Sequence, residues 1–421
     1  MNPVMKCRHC NASVSLVLAD LGTAPPSNAY LTARALHGPE LWYPLRVLVC
    51  EQCWLVQTED FAQAQSLFDA DYAYFSSFSA SWLAHVQTYV TDAVQRLGLT
   101  AQSHVVEVAA NDGYLLQYVA QLGIRCLGIE PTASTAAAAR AIGLPVVERF
   151  FGVELARELV AQGQSADLTV ANNVLAHVPD INDFVAGFAL LLKAQGVATF
   201  EFPHLLQLVR QCQFDTLYHE HFSYLSLTAV QRIFSVNGLT VFDVQELPTH
   251  GGSLRVWARR SDDQATAQTP TEQARVARLL ELEADAGVKR ADFYRNLQSQ
   301  AIRIKAELLR FLIDTQSRGL KVAAYGAAAK GNTLLNFAGV RPDLLPYVVD
   351  RNPAKQGKFM PGSRIPIVDE AHLMAHRPDY ILILPWNLRH EVMKQLAYTK
   401  ACGAQFVTAV PALAFSTGEA A

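Results

Sequence analysis

The chain reads as an α/β protein in which two doubly wound, mainly parallel sheet units follow a small cysteine-bearing module. Three observations carry that reading. Strand-length apolar runs alternate with helical patterns between Ser103 and Arg259, and the same alternation returns between Lys321 and Asn387. Two Cys-x-x-Cys pairs stand near the N-terminus, Cys7 with Cys10 and Cys50 with Cys53. The 421 residues, 51% of them hydrophobic, exceed one ordinary core at roughly 150 residues per domain. The boundaries fall at 1–65 for the module, 66–262 for the first sheet unit and 263–421 for the second.

The module holds both cysteine pairs and a stretch with Gly22, Pro25, Pro26, Gly38, Pro39 and Pro44, too broken for long helices. From Phe75 to about Leu97 apolar residues recur at helical spacing, and Ser103–Gly113 reads as a strand entering a turn. Strand-like runs follow at Arg125–Glu130, Leu144–Val147, Asp167–Ala171, Val197–Phe202 and Thr240–Leu247, with helical patterns between most of them. That order predicts a doubly wound parallel sheet. Val241–Leu247 and Ser253–Arg259, joined by Pro-Thr-His-Gly-Gly, read as a hairpin at its edge. Charged helical sequence runs from Thr271 to about Arg318, after which Lys321–Gly339, Tyr347–Gly362 and Tyr380–Asn387 give the second, Rossmann-like series.

A formal charge of −3 leaves no basic surplus for a phosphate backbone, which argues against nucleic-acid binding. No apolar run approaches the ~18 residues that span a bilayer, and the first residues lack a signal peptide's apolar core, so the cytoplasm is the expected compartment. There, paired cysteines favour metal over disulfides. Four thiolates can surround zinc tetrahedrally and leave no open position, a structural arrangement, with free thiols the alternative; His9, inside the first knuckle, reads as a spectator.

In Val105–Val119 a carboxylate, Glu107, ends a buried strand before a small-residue turn. Measured against an acid-x-Gly-x-Gly-x-Gly pattern, Ala109 and Asn111 take the first two glycine places and Gly113 the third. Glu130 ends the next strand, where a carboxylate can accept both ribose hydroxyls of a nucleoside; a solvated strand-end acid is the bland alternative. Asn172, Asn173 and His177 follow the strand Asp167–Ala171, at the edge where such sheets present residues to ligands, although His177 could equally start a helix. The densest cluster is Tyr218-His219-Glu220-His221 with Tyr224. Removing a proton next to a carbonyl needs a near-neutral base and a donor for the enolate oxygen, and His with Tyr supplies both. A metal site using His219 and His221, or a satisfied polar core, remain alternatives at this point. Tyr72 and Tyr74 form an aromatic pair before the long helix. Gly326, Lys330, Gly331 and Asn332 form a turn suited to anions without the spacing of a Walker loop.

Together these residues resemble the sugar C-methyltransferase family, whose members methylate C3 of nucleotide-linked 4-keto deoxysugars. The resemblance spans nearly the whole chain: the paired knuckles, Tyr72–Trp82, Glu107–Gly113, Asn172–Val178, Glu201–His204, Tyr218–Tyr224, His250–Arg255 and the turn at Tyr325–Asn332, in that order. It implies a zinc-binding N-terminal domain, a central class I Rossmann-like methyltransferase domain for S-adenosylmethionine, and a C-terminal Rossmann-like α/β domain that helps hold the sugar nucleotide. On that resemblance His221 is the base, and Glu220, Tyr218, His177 and Tyr72 line the sugar site. Glu107, Ala109, Asn111, Gly113, Glu130 and Asn172 are expected at the cofactor, and Asn173, His219, Tyr224, Lys330 and Asn332 at the substrate. The rivals are an O- or N-methyltransferase on another small molecule and a non-catalytic zinc-containing binding protein.

Overall fold

The computed structural model describes residues 5–61, 75–263 and 267–416, so Tyr72 and Tyr74 lie outside the described residues. The helix Ala80–Leu97 forms where the apolar spacing places it. Ser79 caps its first turn by accepting from the Trp82 N–H, and Gly98, at φ 60, ends it in the left-handed conformation. Its apolar stripe, Val86, Tyr89, Val90 and Ala93, is buried against the central sheet.

That sheet has seven strands in the order Leu239–Leu247, Ser253–Arg260, Leu192–Pro203, Ala166–Asn172, His104–Val108, Arg125–Ile129, Val146–Val147. The last five in this order run parallel, and Ser253–Arg260 is antiparallel to both of its neighbours. His104–Val108 is buried along its whole length because helices cover both faces of the sheet. Its carboxyl edge therefore carries Glu107, Glu130, Asn172 and Glu201, the positions where an open α/β sheet binds ligands.

The C-terminal sheet runs Ile367–Val368, Val348–Val349, Val322–Tyr325, Tyr380–Ile383, Gln405–Thr408, Ala414–Ser416. Its first five strands are parallel and the last antiparallel. This is the Rossmann-like arrangement expected.

The N-terminal module is an antiparallel sheet of Leu16–Ala24, Tyr43–Val49 and Val56–Thr58, completed by Ser223–Tyr224 from the central domain. Val56 pairs with Tyr224 and Gln57 with Ser223, so the histidine-rich segment ends as a strand of the module. Around the knuckles, Cys7, Cys50, Cys53 and Leu55 share a core with Leu225, Leu227 and Phe234. Leu18, Leu45 and Val47 pack with Leu297, Ile304 and Leu308 of the helix Leu297–Ser317. The module is thus wedged against both larger domains. The helix Pro270–Ala286, beyond the boundary read at 262, contributes Val276 and Leu279 to the central core. Among the described residues no helix is long and apolar enough to cross a membrane.

Candidate active site

The four knuckle cysteines converge, with all four sulfurs within 4.8 Å of one another. Cys7 and Cys53 sulfurs are 3.5 Å apart, as are those of Cys10 and Cys50. Thiolates ~2.3 Å from a tetrahedral zinc would lie about 3.8 Å apart, so the set fits that ion. Contact with Cys53 pulls the Cys7 thiol down to about 4, the same contact pushes the Cys53 thiol up, and burial pushes the Cys50 thiol up. His9 instead meets the Asn182 side chain at 2.7 Å, which makes it a spectator.

At the sheet edge the turn after Glu107 keeps the shape of a glycine-rich loop with only one of its three glycines. Ala109 at φ 59, Asn111 at φ 49 and Gly113 at φ 81 are all left-handed. Gly113 is favoured by its φ of 81, and a Cβ there would also displace the Leu144 side chain, whose Cδ1 would stand 2.4 Å away. Glu130 holds the turn closed: its carboxylate accepts the Asn111 N–H and the Thr132 N–H, both at 2.9 Å. Each oxygen keeps a further lone pair for a ligand. Glu107 is fully buried with neither oxygen hydrogen-bonded, and burial raises its pKa well above the carboxylate range, the nearby Tyr114 hydroxyl opposing in part. Asn172 likewise buries an amide with no partner for its oxygen or nitrogen. Asn173, at φ 53, anchors by its N–H to the Glu201 carbonyl at 2.7 Å, leaving its side-chain oxygen unpartnered. Buried polar atoms left in this state are costly and mark where a ligand belongs.

The histidine cluster lies beside this edge. His221 Nδ1 is 2.9 Å from the Thr216 carbonyl, which can only accept, so Nδ1 carries the hydrogen and Nε2 presents a lone pair. Burial, then the charges of His177, Lys330 and His250, push the His221 pKa well below the usual value and keep the ring neutral. The Tyr218 ring covers it at 3.9 Å between centroids, and the His177 ring meets it edge-on at 4.6 Å. His177 donates from Nδ1 to the Glu220 carbonyl at 2.8 Å and is held by burial at about 4. The Glu220 side chain is buried, its pKa raised by burial, and one oxygen accepts from the Asn28 backbone at 3.2 Å. Tyr224 OH accepts the Tyr218 N–H at 3.3 Å. Thr58 of the module donates its hydroxyl to the His221 carbonyl, so the zinc-bearing module grips the cluster directly.

His219 is set apart from His221. Its Nε2–H donates to the Pro44 carbonyl at 3.1 Å and its ring packs edge-on to Tyr43, both in the module. The two histidines have different neighbours, and among the described residues only the four cysteines form a metal-ligand cluster.

The C-terminal domain closes the site. Lys330 Nζ donates to Asn387 Oδ1 at 3.0 Å and stands 4.7 Å over the Trp386 ring. Burial lowers it to about 8, opposed by Asp215, while burial raises Asp215 to about 6, opposed by Lys330. The Trp386 indole donates to Asp215 at 2.8 Å. Asn332 is buried with its amide nitrogen unpartnered, and Thr333 donates to the Leu217 carbonyl at 3.0 Å, tying the helix Ala329–Ala338 to the histidine segment.

The structure therefore gathers most of the predicted residues on two walls, the Glu107–Gly113, Glu130 and Asn172 edge and the His177–Tyr218–His221 cluster, with Lys330 and Asn332 on the C-terminal side and His219 turned instead toward the module. Sequence reasoning missed Asp215, His85, Arg255 and Trp386. Asp215, three residues before Tyr218, had the only local signal, an acid between Phe214 and the cluster.

Three family descriptions match the chain in order: a zinc binding domain at residues 7–68, a methyltransferase domain at 82–244 and a C-methyltransferase C-terminal domain at 248–411. The C-methyltransferase NovU of Streptomyces niveus is 33% identical over 411 residues, 98% of this chain and 96% of that one. Among solved structures, the PH0226 protein of Pyrococcus horikoshii OT3 is similar over 45% of this chain and 95% of that one, with 13% identity and a TM-score of 0.38. The magnesium protoporphyrin IX methyltransferase of Synechocystis PCC 6803 with bound SAM is similar over 43% and 82%, with 17% identity and a TM-score of 0.33.

Proposed function

This chain belongs to the C-methyltransferase family, and from that premise we propose that it methylates C3 of a nucleotide-linked 4-keto deoxysugar with S-adenosylmethionine as methyl donor. The observation that carries the reading is the His221 tautomer: Nδ1–H is spent on the Thr216 carbonyl, leaving the Nε2 lone pair free as base beside the Tyr218 ring. A carbon acceptor needs such a base; an oxygen or nitrogen acceptor that is already nucleophilic does not.

The partnerless Glu107 and Asn172 side chains and the left-handed turn fit a donor bearing an ammonium group and a ribose, with Glu130 taking the ribose hydroxyls. When bound, S-adenosylmethionine supplies an electrophilic methyl group on a sulfonium. His221 Nε2 removes the C3 proton, acidified by the adjacent ketone, and the electron pair of that C–H bond becomes the enolate. Tyr218 and His177 hold the imidazole in place, and hydroxyl donors at O4 stabilise the developing charge. The enolate carbon so formed would be the nucleophile for the methyl group that a bound S-adenosylmethionine would supply, its sulfur leaving as the thioether, while His221 keeps the abstracted proton. Glu220, Tyr224 and Asn173 shape the sugar side, while His219, against Pro44, orients the segment from the module side. Lys330 and Asn332 serve the anionic, nucleotide end of the substrate. Zinc touches none of these steps and fixes the fold of the module whose Thr58 holds the His221 carbonyl.

Incubation with methyl-labelled S-adenosylmethionine and a panel of nucleotide-linked 4-keto sugars, read by mass spectrometry and NMR, tests the reading. The expected product carries label on carbon next to the ketone. Label on oxygen or nitrogen would overturn it.

A further inference from the structure

Two sequence motifs, Glu201–His204 and His250–Arg255, have no role in the chemistry above, yet the structure joins them at the site. Glu201, two residues from the end of its strand, is fully buried and accepts from His85 Nε2 at 2.9 Å, from Arg255 and from the Thr249 hydroxyl at 3.0 Å. Thr249 opens a turn in which His250, Gly251 and Gly252 are all left-handed, at φ 55, 89 and 112. The turn is clamped on every side. Gln213 donates to the Gly251 carbonyl at 2.8 Å, Ser253 donates to the Thr249 carbonyl at 3.0 Å, and a Cβ on Gly251 would sit 2.5 Å from the Trp386 ring. A histidine held at positive φ by so many contacts stores strain, which persists where geometry serves a function.

What that strain presents is an imidazole whose Nδ1 is buried and without a hydrogen-bond partner among the described residues. Its ring lies edge-on to Trp82 at 5.3 Å, and Trp82 lies 6.0 Å from Tyr114, the neighbour of Glu107 on the donor edge. Burial and then nearby Lys330 lower the His250 pKa, and His250 in turn acts on His221. His250 is therefore linked by contact, through Trp82, to the methyl-donor edge and by its electrostatics to the acceptor cluster.

Resting on the function proposed above, we propose that His250 is a substrate-contacting residue whose ring N–H donates to the acceptor's carbonyl oxygen as it becomes an enolate, and that Glu201, through Thr249, is the positioning residue that presents it. A buried neutral imidazole carries one donor and one acceptor nitrogen, and a preorganised donor is what an enolate oxygen requires.

The test uses His250→Gly and His250→Asn in the full-length zinc-bound protein. Glycine relieves the left-handed strain and removes the donor; asparagine tolerates positive φ and returns an amide N–H near the Nδ1 position. For His250→Gly we expect kcat to fall roughly 100- to 1000-fold, the range for losing one such donor, with solvent deuterium exchange at C3 falling alongside and S-adenosylmethionine affinity unchanged. His250→Asn is expected to recover at least tenfold of that loss. Near-normal turnover in His250→Gly overturns the proposal, as does an equal loss in both variants accompanied by weakened donor binding. A wild-type enzyme that methylates no keto-sugar carbon would instead sink the underlying function, so the two failures are distinguishable.

Discussion

Replacing Glu130 by alanine separates the two ligands of the site. In the structure its carboxylate accepts the Asn111 and Thr132 N–H groups at 2.9 Å each, and a bound donor's ribose would add two charge-assisted bonds to the remaining lone pairs. Losing the ribose contacts costs on the order of 2–4 kcal/mol after partial compensation by water, a weakening of roughly 30- to 700-fold in Kd. The two backbone donors would also lose their partner, loosening Asn111 from its left-handed conformation, so the effect should sit toward the upper end. Glu130→Gln retains one acceptor oxygen and should fall between. Isothermal titration of S-adenosylmethionine and, separately, of the sugar nucleotide measures both. The expectation is weak donor binding with sugar-nucleotide binding retained. Donor affinity within threefold of wild type, in a protein that melts normally, would refute the role given to Glu130.

One tightly held zinc per chain is expected by elemental analysis, and Cys50→Ser should lower the melting temperature and soluble yield far more than it lowers turnover in the protein that stays folded; a substoichiometric, easily dialysed ion would count against this. Acid should destabilise the fold through His177, whose folded pKa of about 4 lies below the ordinary 6.5. The unfolded chain then binds the proton first, so this contribution is present above 6.5 and is lost as pH falls toward about 4. Asp215, raised from 3.8 to about 6, works in the opposite sense over part of that window. Denaturant melts of wild type and His177→Gln from pH 7 to 4 should show a flatter decline in the variant, and parallel curves would contradict the assignment.

The two parallel sheets were legible because strand-length apolar runs alternating with helical periods report burial on both faces. The edge hairpin was legible because His250-Gly251-Gly252 can adopt the positive φ its turn needs. The four knuckle cysteines needed only spacing. The fourth strand of the module was not legible: Ser223–Tyr224 is two residues long and carries no period, and its pairing with Val56–Thr58 is a long-range event. The left-handed Ala109 was equally hidden, since alanine disfavours that conformation and only the surrounding turn imposes it. Glu201, Arg255 and His85 read as three unrelated polar residues until the sheet and the helix Ala80–Leu97 bring them within hydrogen-bond range. The same holds for Asp215 and Trp386, which belong to different domains. Separate motifs thus announced the two walls of the site, while the contacts that tie the walls together came only from tertiary packing.

The measurement that bears most directly on the central claim is hydrogen exchange at the acceptor carbon. A carbon methyltransferase must break a C–H bond before making the C–C bond. With the methyl donor omitted, the wild-type enzyme in deuterated water should place deuterium on the carbon beside the ketone, seen by NMR of the recovered sugar nucleotide. His221→Asn keeps similar size and polarity but lacks a comparably basic nitrogen, so exchange and methylation should fall together while both ligands still bind. His221→Asn with near-normal exchange and turnover would contradict the account and move the base to another residue.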